Sequence, residues 1–395
     1  MFLLDGFWNF LSFSYFVGFF PCKKTTSEDG NFANLTKCHG FLYVIKAILF
    51  IASIFTILSL LAYLVILSEE DLKLERIISV TNSAAYTGHI GLISNLLLLM
   101  SNLVHFLISY FINWKSSQKL INLQDSMTLK LSSYETNSII CKFGVFVIIL
   151  FAANICQVFQ MSITSSEMGV TSFAKSIPFY AFVFTINMLF YFPIMVFILI
   201  FLNVSNALRE YIITLRSKIN DQVQIDLNEI YMVHKILEDT RSLFSSRIFI
   251  AILSWLIMDI IMIFDIIATF IIYNFQFSEK QYFLLSYLCL YAISITLAMF
   301  YITDSSDSLK SSVMDLRSSL FEVEVPKELK IYMNDRIMTN VHAKMIAIEK
   351  LKEFNGFDGL GFFTVNRELM TGIFSNAVVY IIVLVQFLLG EDFDV

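Results

Sequence analysis

The chain alternates long apolar runs with shorter polar stretches. A helix needs about 20 apolar residues to cross the hydrocarbon, because backbone N–H and C=O groups find no water there and must pair within the segment. Such runs occupy Phe41 to Leu67, Ile77 to Trp114, Ile139 to Met161, Ile177 to Leu202, Ile248 to Tyr273, Tyr282 to Ile302 and Leu369 to Leu389. The pattern predicts an all-α polytopic membrane protein with seven transmembrane helices. The second run exceeds the membrane thickness, so that helix tilts or projects into the cytosol. Met1 to Phe20 is apolar too, but it carries Asp5 and Phe19–Phe20 where a secretion signal has a basic start and small residues at the cut. An interfacial helix is the expectation there, with a signal or an eighth span as alternatives.

Composition agrees with the bilayer as solvent. Of the 395 residues 57% are hydrophobic and only 15% charged, with a mean hydropathy of +0.72, whereas a soluble domain carries about 25% charged residues. Charge also orients the chain, since short loops rich in Lys and Arg stay cytoplasmic. With the N-terminus in the cytosol and the C-terminus outside, 21 of the 27 basic residues fall inside and 4 outside, while Lys46 and Lys142 sit near inner helix ends. The expected organisation is a cytosolic or interfacial segment over 1–40, a six-helix bundle with its inner loops over 41–302, a cytosolic helical region over 303–366, and a last helix with a short extracellular tail over 367–395. In the cytosolic region Pro326 can start a helix in which Leu329, Met333, Ile337, Val341, Met345, Ile348 and Leu351 fall near one face. Asn355, Gly356, Gly359 and Gly361 then break it.

The search for catalytic chemistry is nearly empty. There is no HExxH, GxSxG or P-loop, and His39, His89, His105, His234 and His342 have no partner at ligand spacing. No enzyme, cofactor or metal site is therefore expected. Cys22, Cys38, Cys141, Cys156 and Cys289 fall inside or within spans, which leaves no extracellular disulfide framework. The net charge of −6 and the alternating signs of the inner loop exclude a nucleic-acid surface. Asp259 and Asp265 share one span, and ionisable groups at that depth face a cavity or a partner.

In the last span Gly372, Asn376, Val379, Val383, Gln386 and Gly390 recur at helical gaps and form one small or polar seam, while Ile, Leu, Phe and Tyr occupy the other faces. Spacing alone leaves two readings, ordinary helix packing and the lining of an aqueous path. The outer halves of the middle helices offer Tyr86 and His89, Gln157 and Gln160, Tyr180 and Asn187, Asp265 and Tyr273, and Tyr287 and Tyr291. Such a mixture orients a small polar organic molecule in an apolar cavity, and it equally makes interhelical hydrogen bonds.

Val379–Tyr380–Ile381–Ile382–Val383–Leu384–Val385–Gln386–Phe387 resembles the C-terminal signature of insect gustatory receptors, Thr-Tyr followed by five hydrophobics and Gln-Phe. Tyr380, Gln386 and Phe387 match at the family spacing, and Val379 stands where Thr is usual. Gly361–Phe362–Phe363 and Arg367–Glu368–Leu369 also resemble the family's run into its last helix.

The resemblance implies a ligand-gated nonselective cation channel in the plasma membrane of chemosensory neurons. It would be a homo- or hetero-tetramer of gustatory receptor subunits, with the last helix of each lining a central pore and residues 303–366 anchoring subunits in the cytosol. Asn376, Val379, Val383, Gln386 and Phe387 become pore and gate positions. Glu391, Asp392 and Asp394 would form an acidic ring that concentrates cations at the mouth. In the sugar-responding branch a Glu commonly follows the motif Tyr. Ile381 stands there, which points to a bitter or other non-sugar tastant.

Three other classes remain. An insect odorant receptor shares topology and channel mechanism. A G-protein-coupled receptor has seven spans but the opposite orientation, and a secondary transporter typically shows internal repeats and broken helices.

Overall fold

The computed structural model describes residues 22–26, 33–37, 45, 115, 118–123, 137–167, 173–220, 227–272, 276–322, 345–346 and 348–390. Met1 to Phe20 and, apart from Ile45, the expected spans Phe41 to Leu67 and Ile77 to Trp114 lie outside the described residues.

Two short strands open the described chain. β1 (Cys22–Thr26) pairs antiparallel with β2 (Ala33–Lys37), with Cys22 opposite Lys37. No strand is expected from the hydropathy pattern, although the intervening Asp29–Gly30 is a hairpin turn signal.

The rest of the described architecture is helical. The elements are α1 (Asn137–Glu167), α2 (Phe173–Asn220), α3 (Leu227–Ile272), α4 (Glu279–Glu322) and α5 (Arg367–Gly390). All five contain a stretch long and apolar enough to cross a membrane. α4 is central and packs against each of the other four, most extensively against α1 and α2. α1 is a peripheral helix: Phe146, Leu150 and Ala153 face inward, while Ile148, Phe151, Ile155 and Phe159 are exposed. An apolar surface of that kind suits lipid, which satisfies exposed Ile and Phe as well as a core does.

Three helices overrun their apolar spans. α2 continues past Leu202 to Asn220, α3 begins at Leu227 well before Ile248, and α4 passes Ile302 without interruption and ends at Glu322. Their polar extensions cluster. Leu215, Ile236, Leu243, Leu309, Val313 and Leu316 are all buried there, and Arg216 Nη1 on α2 pairs with Asp315 Oδ2 on α4 at 3.0 Å. The largest fully buried side chains are Trp255, Tyr291, Phe201, Phe244, Phe264 and Phe357.

Candidate functional site

Buried polar side chains lie on the inner faces of four helices. On α1 Asn154, Gln157 and Gln160 continue the inward stripe of Leu150 and Ala153, and all three are buried. Asn154 Nδ2 donates to the Leu150 carbonyl at 2.8 Å, while Asn154 Oδ1 has no hydrogen-bond partner among the described residues. On α2 Tyr191 is buried against Tyr291 of α4, with ring centroids 5.0 Å apart, and Tyr287 stacks on Tyr291 at 6.0 Å. The Tyr191 hydroxyl is within hydrogen-bonding reach of both Tyr287 and Tyr291. Asp265 of α3 is buried within electrostatic reach of Tyr287.

Six residues before Asp265 on α3, Asp259 accepts a hydrogen bond from Thr296 Oγ1 of α4 at 3.2 Å. Its Oδ1 is buried with no hydrogen-bond partner among the described residues. Beside the tyrosines lies a cavity of about 10 Å³ lined by Phe146, Leu150, Tyr191, Trp255, Tyr291 and Ser294. That volume holds about one water, so an organic ligand enters only if these side chains move.

Of the ten pocket residues expected from sequence, Gln157, Gln160, Asp265, Tyr287 and Tyr291 are buried on the inner faces of α1, α3 and α4. Tyr180 and Asn187 lie on α2, but their side chains are outside the described set, as are Tyr86, His89 and Tyr273 altogether. Tyr191, Trp255, Asn154 and Thr296 join the cluster without having been anticipated. Tyr191 sits between Phe190 and Phe192, and no periodicity inside an aromatic run shows which ring turns inward.

α5 presents a different surface. Met370, Ile373, Ala377 and Ile381 form its buried face, directed at α3 and α4. Gly372, Asn376, Val379, Val383 and Gln386 are all exposed, with Val379 at 59% and Val383 at 42%. Ser375 is exposed as well and returns its hydroxyl to the Thr371 carbonyl at 2.8 Å. The polar seam thus faces away from the subunit's own body, and Tyr380 is exposed beside it at 61%. Phe387 lies within the helix with its side chain outside the described set, and Glu391, Asp392 and Asp394 fall outside it entirely.

The root of α5 is held by a compact hairpin and an ion-pair network. Phe357 and Val365 bracket the hairpin through a 2.8 Å backbone bond, and Gly359 N–H donates to the Phe363 carbonyl at 2.9 Å. A Cβ on Gly359 would overlap the Phe363 ring, so a larger residue there requires that ring to move. Asp358 accepts from Arg241 Nε, from Ser245 Oγ at 2.7 Å and from the Gly361 N–H at 3.1 Å. The Leu360 N–H returns to Ser245 Oγ at 2.8 Å. Asn366 Oδ1 caps the helix by accepting from the Leu369 N–H at 2.8 Å. Arg367 then reaches Asp304 Oδ1 at 2.8 Å, and Lys142 of α1 approaches the other Asp304 oxygen at 3.4 Å. Burial pushes the Asp304 carboxyl up, but the Arg367 and Lys142 hydrogen bonds and charges outweigh it and hold the group below the usual carboxylate range.

Among the described residues one group of donors could approach a metal ion. His234 and Glu238 of α3 and Glu353 place a ring nitrogen and two carboxylate oxygens within 4.8 Å of one another. Both glutamates are exposed, and Glu353 already faces the Lys350 ammonium at 3.8 Å.

No family model and no curated protein matches the sequence. Among solved structures the chain matches the insect olfactory receptor OR5 from Machilis hrabei with a TM-score of 0.59 and 13% identity, over 97% of this chain and 98% of that one. The same receptor in complex with eugenol gives a TM-score of 0.60 and 13% identity, over 97% and 99%. The chain therefore has the fold of an insect olfactory receptor over nearly its whole length, and it is a multi-pass membrane protein.

Proposed function

We propose that the chain is a subunit of a ligand-gated cation channel of the insect chemoreceptor type, opened by a small organic molecule. The observation that carries this reading is the exposed seam of α5. Asn376, Ser375 and Gln386 lie on an apolar helix yet face away from the subunit. Polar groups at membrane depth need protein or water, and a ring of subunits around an aqueous axis supplies both. Four copies are the expected number, with the N-terminus cytosolic and the C-terminus outside. The Tyr380, Gln386 and Phe387 motif favours the gustatory branch, and Ile381 favours a non-sugar, bitter-type ligand. OR5 takes eugenol, a small organic molecule, on the same fold.

Cysteine modification tests the pore. Val379→Cys and Val383→Cys channels should lose ligand-evoked current when a charged thiol reagent is applied from outside, whereas Ala377→Cys and Ile381→Cys should not. Equal sensitivity of both faces, or of neither, would remove α5 as a pore lining. The tyrosine cluster is the proposed ligand-responsive pocket. A neutral hydrogen bond is worth about 1 kcal/mol, or about fivefold in affinity, so Tyr191→Phe and Tyr287→Phe should each shift the half-maximal ligand concentration by about fivefold. Unchanged dose-response curves in both would place the ligand elsewhere.

A further inference from the structure

A second cavity, of about 520 Å³, opens between α2, α4 and the first residue of α5. Arg209, Ile213 and Arg216 of α2 share one helix face, while Asp307, Ser308, Ser311, Ser312 and Asp315 come from α4 and Arg367 from the root of α5. Three guanidiniums meet two carboxylates, and both carboxylates are already engaged. Asp315 holds Arg216 at 3.0 Å, and Asp307 accepts the Arg367 N–H at 2.9 Å, with Arg367 Nε 3.9 Å from the same oxygen. Arg367 also pairs with Asp304 outside the cavity. Arg209 has no ion pair among the described residues. Each guanidinium carries five N–H donors, so donors remain on all three, beside the serine hydroxyls of α4.

Phosphate is the ligand chemistry that matches. Guanidiniums bind it through paired charge-assisted hydrogen bonds, hydroxyls add donors, and the volume suits a small organic molecule rather than a bare ion. Depth narrows the choice. On the orientation proposed above, Arg209 lies roughly 10 Å and Arg216 roughly 20 Å along the helix beyond Leu202 at 1.5 Å per residue. That is at or past the headgroup layer of the inner leaflet, where basic pockets meet phosphoinositides.

We propose that this cavity binds a polyphosphorylated headgroup between Arg209, Arg216 and Arg367. Occupancy ties α2 to the root of α5 and so bears on the helix proposed to line the pore. The lipid source rests on the proposed orientation and the consequence for α5 on the channel reading, whereas binding itself is measured without current.

The test uses the whole 395-residue chain in nanodiscs of neutral phospholipid, titrated with a fluorescent short-chain phosphatidylinositol bisphosphate and, separately, with inositol trisphosphate. Saturable binding is expected, weakened about tenfold or more by Arg209→Gln and by Ser311→Asp, with each variant eluting at the size of the unaltered protein. Ser311→Asp carries the test if Arg209→Gln does not fold. Preference for the lipid over inositol trisphosphate assigns a membrane source, and equal affinity assigns a soluble one as well. No saturable binding, or variants that bind like the unaltered protein, would overturn the site. A cavity filled by a neighbouring subunit gives the first of these results. Binding with the expected losses but no ligand-evoked current would keep the site and remove the channel reading.

Discussion

Phe357→Ala is expected to cost about 3–5 kcal/mol, the range for deleting a buried aromatic ring from a packed core. Phe357 is fully buried, and its ring lies 5.0 Å from Phe201 of α2, 6.1 Å from Phe244 of α3 and 6.1 Å from Phe354. Its amide meets Ser306 of α4 at 3.4 Å. Two helices and the hairpin at the root of α5 thus share one ring, and a third helix holds the Phe357 amide. Neighbouring aromatic rings are too rigid to close the void, which puts the cost at the upper part of the range. The measurement is the thermal midpoint of detergent-solubilised protein, followed by size-exclusion fluorescence. A midpoint equal to that of the unaltered protein would mean that the aromatic cluster does not hold the hairpin.

Asp358→Ala comes second, at about 2–3 kcal/mol. The carboxylate is buried and accepts from Ser245, Arg241 and the Gly361 N–H. Removing it strands the hydroxyl and the amide. Arg241 is 45% exposed, so water recovers most of its charge, and the estimate stays below the 3–5 kcal/mol typical of breaking a fully buried pair. The effect also has a pH signature. Burial raises the Asp358 carboxyl, but the Ser245, Arg241 and Gly361 hydrogen bonds and the Arg241 charge outweigh it, holding the group below the ordinary carboxylate range. A lowered folded-state value means that the stabilisation is fully present above the unfolded value of about 3.9 and is lost as pH falls through the folded one. The unaltered protein and Asp358→Ala should therefore differ by a constant amount from pH 7.5 to 5. The two should converge below about pH 4. A difference that shrank between pH 7 and 5 would contradict the assignment. Asp304, lowered in the same sense by Arg367 and Lys142, adds to the same acid limit.

These two substitutions fall where the sequence was least informative. Arg241 and Asp358 are 117 residues apart, Ser245 and Asp358 113, and no periodicity relates them. The glycines at 356, 359 and 361 read as helix breakers, which they are, but their geometry comes from tertiary contacts. Gly356 and Gly361 have φ of +94° and +79°, the left-handed region that glycine enters without steric cost, and Gly359 leaves room for the Phe363 ring.

Hydropathy marks where a helix meets lipid rather than where it ends. α2, α3 and α4 therefore run on into polar sequence whose buried side chains pack together, and the cavity of Arg209, Arg216 and Arg367 lies between that overrun and the root of α5. The buried polar residues were half legible. Gln157, Gln160 and Asp265 stand out because polar residues are rare in apolar runs, whereas Tyr191 and Trp255 are apolar enough to vanish among their neighbours.

The sequence by itself determined the solvent, the order of the five described helices and the α5 seam, because each follows from a local quantity: the transfer energy of about 20 residues, or a repeat along one helix. Tertiary structure alone decided which residues meet across helices, that the seam faces away from its own subunit, and how α5 is rooted. Those outcomes depend on side-chain packing between distant segments, and a pattern within one segment carries no record of its partner.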